Sequence, residues 1–452
     1  MHNAPYLSPL KTKKNQLFKK INSKRLQKEV AWIVIGQAGT AIAGILGIKL
    51  LTNVLGPADF GKLFLANTIV VLISTNFLFG PLGQGLMRFW AISKSKGNLK
   101  GFYAVSKHLK QQIIAISIVL SIVLTVIAAF FKSIEWAALF AVSTAAGIFS
   151  GWLGLRVAVF TAARKRPLVA CLNIGNAFSR PLIAACLVLL ISVSAFWAMA
   201  GYLVAAILLV LVAEYFYVNI VSSTSTSISD KITATDIKKD IISFSWPFVV
   251  FASFAWVHLS CDKWALQSFH GPEIVGAFTV VSQLAVYPLM FGSGFLSTLI
   301  VPVAYERAGD LTQYQKIMSA YRLLAFIAIA YILGLFLLMW FFFISHHKLI
   351  ILISNIQFAE FSFLLPWITA AWGLFYLGQI LSSFGMLANK SSVYIAPKLV
   401  AAIIAAISTF YLSARYGVGG VVLGVALAGF VYAFWCFVVA IKLFIDARIE
   451  AD

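Results

Sequence analysis

Residues 55–68 read LGPADFGKLFLANT, and residues 270–283 read HGPEIVGAFTVVSQ. Gly56, Pro57 and Gly61 of the first phrase align with Gly271, Pro272 and Gly276 of the second at a single offset of 215 residues. Each phrase follows one long apolar segment and opens another. A repeat at about half the chain length is the mark of two similar bundles, a recurrent build for secondary transporters. The phrases themselves read either as hinges or as tight turns between successive spans.

The surrounding composition sets the solvent. Of 452 residues, 61% are hydrophobic and only 11% charged, with mean hydropathy +0.93. A soluble chain carries roughly a quarter charged residues. Apolar runs long enough to cross a bilayer recur throughout. About twelve are expected, near 31–54, 62–86, 112–131, 136–160, 168–191, 196–219, 242–266, 274–302, 321–344, 361–385, 393–413 and 418–443. Because lipid offers no hydrogen bonds to a backbone, they are expected to be helices. The fold class is therefore an all-α membrane protein with about twelve transmembrane helices in two pseudo-symmetric six-helix bundles.

The polar stretch SSTSTSISDKITATDIKKD (222–240) separates six spans from six. It divides the chain into a basic tail (1–30), a first lobe (31–221), a linker (222–241), a second lobe (242–445) and a short tail (446–452). Lysine and arginine crowd both the tail and alternate loops, with Arg88, Lys94, Lys96, Arg164, Lys165, Arg166, Lys238 and Arg307 among them. The intervening loops hold few cations. The positive-inside rule then puts both termini in the cytoplasm. The net charge of +20 is thereby explained by topology, and nucleic acid is excluded as a partner. The first 30 residues are polar and basic, so a cleaved leader is not expected.

Little in the chain supports enzymatic chemistry. Cys171, Cys186, Cys261 and Cys436 stand alone, without metal-ligand or redox spacing. No phosphate-loop motif occurs, His346 and His347 read as solvated loop residues, and no cofactor is implied. What remains is polarity inside the spans, which is expensive and usually faces a cavity. Arg180 lies about 12 residues into the fifth span, roughly 18 Å deep. Asn173, Asn176 and Arg180 share one helical face; the alternative is a packing stripe with Arg180 bonded to carbonyls. Lys49 is either a cavity cation or a snorkelling one. Gln37 and Thr40 lie deeper on the same helix. Arg156 and Glu214 sit near span ends, as cavity groups or as a mutual pair. Arg88 shares a face with Gln84 beyond a kink expected at Gly80–Pro81. Asp262 and Lys263 close the seventh span as a gate or an ion pair, with Gln283, Tyr287 and Gln379 as weaker lining candidates. The deep cations belong to the first lobe, and no span holds a deep unpaired carboxylate. That sign favours an anionic ligand, since Arg and Lys pair well with phosphate.

At this point a family resemblance enters. LGPADFGKLF, Arg88 after GPLGQGLM, CDKWALQSFHGPEIVGAFTVVSQLA, the FAEFSFLLPWITAAWGLFYLGQILSSFGMLANKS passage and RYGVGGVVLGVALAGF stand in an order similar to that of one branch of a known superfamily. The chain resembles the polysaccharide-transporter branch of the multidrug/oligosaccharidyl-lipid/polysaccharide exporter superfamily, the lipid-linked O-antigen flippases. The resemblance spans roughly residues 30–445. It implies a V-shaped pair of bundles around a cationic cavity. It also implies transfer of an undecaprenyl-diphosphate-linked oligosaccharide from the cytoplasmic to the periplasmic leaflet of a bacterial inner membrane, without ATP. Membrane lipids and other polysaccharide-assembly membrane proteins are the partners it suggests. Lys263 stands where the branch commonly has Arg, and its ammonium lacks the bidentate fork of a guanidinium. The rival readings are a cation-coupled multidrug or small-solute exporter on the same fold and, from another class, a membrane-embedded glycan polymerase or ligase. The latter is disfavoured by the lack of a sizeable outer loop.

Overall fold

The computed structural model describes residues 8–222, 234–299, 301–308, 313–388 and 390–449, and every regular element among them is helical. The spans are α1 (Ser8–Val54), α2 (Pro57–Ser95), α3 (Leu99–Phe131), α4 (Ile134–Ala162), α5 (Arg166–Leu190), α6 (Ala195–Ser222), α7 (Ala234–Phe269), α8 (Pro272–Leu299), α9 (Tyr314–Ile353) and α10 (Ser362–Leu387). The helical stretch Ile395–Ile449 supplies two more, α11 (395–416) and α12 (418–449), because it turns at Gly417. There φ is 61° and ψ −141°, a conformation costly for any residue with a Cβ. Ser408 donates a hydrogen bond to the Gly424 carbonyl, 3.1 Å away across the turn, so the two arms run antiparallel. Twelve crossings result among the described residues, in line with the hydropathy pattern.

The exterior confirms the solvent. Ile118, Val119, Ile122 and Val126 of α3 and Leu333, Phe336, Leu337 and Trp340 of α9 are all exposed. Apolar ridges of this extent have no place in water and belong against acyl chains.

In the first lobe α1 packs on α5, α5 on α6, α6 on α4, and α4 on α2 and α3. In the second, α7 and α10 pack on the α11–α12 hairpin, and α10 also packs on α8 and α9. α2 carries most of the contact between the lobes: it packs on α7 along Leu72–Ser95 and crosses α8 along Pro57–Val71. The repeated phrases lie at this crossing. A methyl group on Gly61 would overlap the carbonyl oxygen of Pro272, and one on Gly276 would overlap that of Pro57. Small residues allow such backbone contact between helices. Both phrases thus form turns, with Gly271 at φ 84°, and each presents its second glycine to the other lobe. Phe60 meets Phe358 edge-on, 5.4 Å between ring centroids, at the same end. This end, opposite the lysine- and arginine-rich loops, is closed.

The kink expected in α2 begins earlier than Gly80–Pro81. A π-helical turn occupies Leu72–Phe77, and the regular helix resumes at Phe79. Pro81 cannot donate to the carbonyl four residues back, and a wider turn absorbs the mismatch. Two sequence boundaries also move. Residues 234–241, read as linker, belong to α7, while 223–233 lie outside the described residues. His346 and His347 are not loop residues but part of the last turns of α9, where the His346 ring Nδ1 lies 3.1 Å from Ser362 Oγ.

Candidate functional site

Two adjoining cavities lie between α1, α5 and α8. The first, about 680 Å³, lies toward the basic end and is lined by Trp32, Gln37, Arg166, Asn173, Asn176 and Met290 among others. The second, about 210 Å³, lies deeper and is lined by Asn67, Arg180, Tyr202, Gln283 and Tyr287 among others. Thr40, Ala177, Met290 and Phe291 belong to both walls. In the wall of the deeper cavity Tyr287 packs on Gly44, and beyond it lies the α2–α8 crossing.

The polar face of α5 is therefore the cavity wall. Arg180 holds Ser150 Oγ of α4 through Nη2 at 2.8 Å, and its guanidinium lies 5.8 Å from the centre of the Tyr202 ring. Its buried Nε has no hydrogen-bond partner among the described residues, and neither do Asn176 Oδ1 and Ser179 Oγ. Pro181 follows Arg180, so the Ala177 carbonyl in the shared wall receives no backbone N–H from it. Gln283 accepts a hydrogen bond from Tyr287 at 3.0 Å. Thr40 spends its proton on the Gly36 carbonyl, 2.8 Å away, leaving its oxygen as an acceptor only. None of the described residues lining either cavity is acidic.

Several candidates lie elsewhere. Lys49 is neither a cavity residue nor a snorkelling one. Its ammonium donates to the Ser354 carbonyl at 2.6 Å and the Ile351 carbonyl at 3.4 Å. The last carbonyls of α9 lack helical partners and carry the negative end of the helix dipole, which attracts a cation. Lys49 thus ties the first lobe to the second at the closed end.

Arg156 is also outside the cavity. It is 3% exposed inside the first lobe, where its Nε and Nη2 each lie 2.7 Å from Glu214 Oε1. Trp152 Nε1 donates to the same oxygen, Lys110 stands 3.7 Å from it, and the guanidinium covers the Tyr217 ring at 3.4 Å. Burial makes a lone guanidinium costly, so this carboxylate is its counter-charge. Glu214 is an ion-pair residue within one lobe, not a gate.

Arg88 is exposed and lines neither cavity; it rests on the Phe244 ring at 4.7 Å, where α2 meets α7. Asp262 is fully buried, with both oxygens 3.1 Å from Lys263 Nζ. These neighbours form a local pair on α7 and bridge nothing between lobes. Gln379 lines neither cavity.

The sequence reading missed Arg166, Asn67 and Tyr202. Arg166 was assigned to a basic loop, yet 166, 173 and 180 stand at i, i+7 and i+14, a spacing that keeps one helical face to within about 20° per heptad. Asn67 lies within the repeated phrase. Ser150 and Tyr202 carried no distinguishing pattern.

Comparison with known proteins agrees with this architecture. A structure described as the lipid II flippase MurJ in an inward closed conformation aligns with TM-score 0.65 at 14% identity, covering 93% of this chain and 90% of that chain. An inward-facing multidrug resistance MATE family transporter of the MOP superfamily aligns with TM-score 0.61 at 12% identity, covering 94% and 100%. An outward-facing member of the same group gives 0.58 at 13%, covering 91% and 96%. No match was found among curated protein sequences. The sequence profile described as polysaccharide biosynthesis protein matches residues 26–307, more than half of the chain. On that match the chain belongs to the polysaccharide biosynthesis protein family, built as a multi-pass membrane protein on the two-lobe transporter fold.

Proposed function

We propose that this protein is a flippase for a polyprenyl-diphosphate-linked oligosaccharide. It carries the headgroup from the cytoplasmic to the periplasmic leaflet of a bacterial inner membrane, for synthesis of a cell-surface polysaccharide. The observation that carries the reading is the sign of the cavity. Its wall holds two arginines, Arg166 and Arg180, and no carboxylate among the described lining residues. A guanidinium whose buried Nε has no partner among the described residues is costly until an anion meets it, and its planar fork suits phosphate oxygens.

The mechanism follows from the shape. Sugars and diphosphate are too polar to cross hydrocarbon unaided. The cavity supplies amide and guanidinium groups for them, while the polyprenyl tail remains in lipid between α1 and α8, which touch little beyond Tyr287 on Gly44. With the basic end cytoplasmic, the conformation described is loaded from inside. Release requires the Gly61–Gly276 crossing to part as one lobe rocks against the other. On this account neither covalent chemistry nor a cofactor takes part.

The second reading is a multidrug or small-solute exporter. The fold serves both, and Trp32, Ile33, Met290 and Phe291 give the wall an apolar share that suits organic solutes. Proteoliposomes separate the two. A fluorescent polyprenyl-diphosphate disaccharide should change leaflet, and a lipophilic cationic dye should not move. Dye export without lipid transfer would select the exporter.

A further inference from the structure

Arg166 and Arg180 share a helix, a face and a cavity system, yet they are 14 residues apart. At a 1.5 Å rise per residue that is about 21 Å, far longer than one diphosphate. Arg166 opens α5 at the basic end and lines the larger cavity. Arg180 lies at the closed apex. Each has a buried Nε with no partner among the described residues, and no described carboxylate pairs with either. Asn173 stands midway, about 10 Å from each, with Asn176 beside it.

We propose, resting on the flippase reading above, that Arg166 is a separate capture site for the diphosphate headgroup, and that the face Arg166–Asn173–Asn176–Arg180 passes it inward in steps. Three features make Arg166 a place of arrival. It is the charged residue in the wall of the larger cavity. It begins α5, whose N-terminus has no side-chain cap and carries Pro167, without an N–H, in its first turn, so the remaining first-turn N–H groups and the positive helix end add to its attraction for an anion. The neighbouring Lys165 is exposed, which raises the local concentration of anions. The cation next to it, Arg164, is 3.9 Å from the Glu29 carboxylate, so that acid is turned toward Arg164. Arg180, by contrast, is already held by Ser150 and Tyr202. It is fixed where a headgroup must dwell before the far side opens. Asn173 and Asn176 are neutral amides, able to accompany the headgroup without trapping it.

The proposal separates capture from transfer. It is tested on the full-length protein in lipid nanodiscs for binding and in proteoliposomes for flux. Farnesyl diphosphate, inorganic pyrophosphate and uncharged farnesol serve as binding probes, and the fluorescent polyprenyl-diphosphate disaccharide is the flux probe. Arg166→Gln should weaken farnesyl diphosphate binding about tenfold, the loss of about one charge-assisted hydrogen bond. It should raise the half-saturating concentration for flux by a similar factor and leave the maximal flux near wild type. Arg166→Lys should recover part of the binding. Arg180→Gln should keep binding within about threefold while flux falls at least tenfold. Quenching of Trp32, which shares the mouth wall with Arg166, reports the capture step locally once compared with a Trp32→Phe control. Farnesyl diphosphate binding tighter than pyrophosphate assigns the anion to a lipid headgroup. Equal binding assigns it to free diphosphate, with the Arg166 dependence intact. Unchanged binding in a well-folded Arg166→Gln protein would overturn the capture site. Equal losses of binding in Arg166→Gln and Arg180→Gln would overturn the stepwise order. Absence of flux in the wild type would count against the flippase reading alone, since binding and quenching test Arg166 without transport.

Discussion

Gly61 and Gly276 occupy the same position in two repeated phrases, and each faces the other's helix so closely that its own Cβ would strike a carbonyl oxygen. The repeat is therefore more than a record of duplication. It is the contact that shuts one end of the molecule.

Gly276→Ala should disfavour that closed end. Overpacking by one methyl group costs about 1–3 kcal/mol, enough to shift a two-state equilibrium by roughly 5- to 150-fold. A single cysteine at Gln283, in a background lacking Cys171, Cys186, Cys261 and Cys436, should react faster with a membrane-impermeant maleimide applied from the side of the α2–α8 crossing. Gly61→Ala should behave alike. Unchanged reactivity in both would show that the crossing does not control access.

Lys49→Met should act in the same direction and more mildly. It removes the cation from the last carbonyls of α9, a contribution of about 1–2 kcal/mol. Half-saturation for the lipid substrate should be preserved in binding assays. A large loss of binding would return Lys49 to the cavity.

Glu214→Gln should lower thermal stability and membrane abundance. It strips Arg156 of its counter-charge, and breaking a buried pair from one side costs about 3–5 kcal/mol. Replacing both, as Arg156→Met with Glu214→Leu, should recover much of the melting temperature. A stable single variant with failed transport would move this cluster from scaffold to mechanism.

Orientation is tested with cysteines at Lys165 and Ile191, exposed at opposite ends of α5. An impermeant reagent added to intact cells should label the cysteine at 191 and not that at 165. The reverse pattern would invert the topology and, with it, the direction of loading.

The crossings were legible because lipid allows a hydrophobic run few alternatives to a helix. The repeated Gly-Pro-x-x-x-Gly was legible too, as a hinge or a turn, although its place in the contact between the lobes needed the third dimension. Charged residues were harder. Depth in a span separates Arg180 from a surface arginine, but Arg156 is just as apolar in its surroundings. Only the partner on α6, 58 residues later, spends its charge. Lys49 was undecidable for the same reason, since its acceptors are carbonyls 302 and 305 residues away. Arg166 failed from the opposite cause. The positive-inside run accounts for it as a loop cation and masks its heptad relation to Asn173 and Arg180.

The central claim is that Arg180 meets the diphosphate of a lipid-linked glycan. The direct measurement is leaflet transfer of a fluorescent polyprenyl-diphosphate disaccharide in proteoliposomes holding equal amounts of wild type, Arg180→Lys and Arg180→Ala. The account predicts that Arg180→Ala is inserted normally and loses at least about tenfold of the transfer rate, with Arg180→Lys between it and wild type because the charge remains and the fork is lost. Full transfer by a normally inserted Arg180→Ala protein would contradict it.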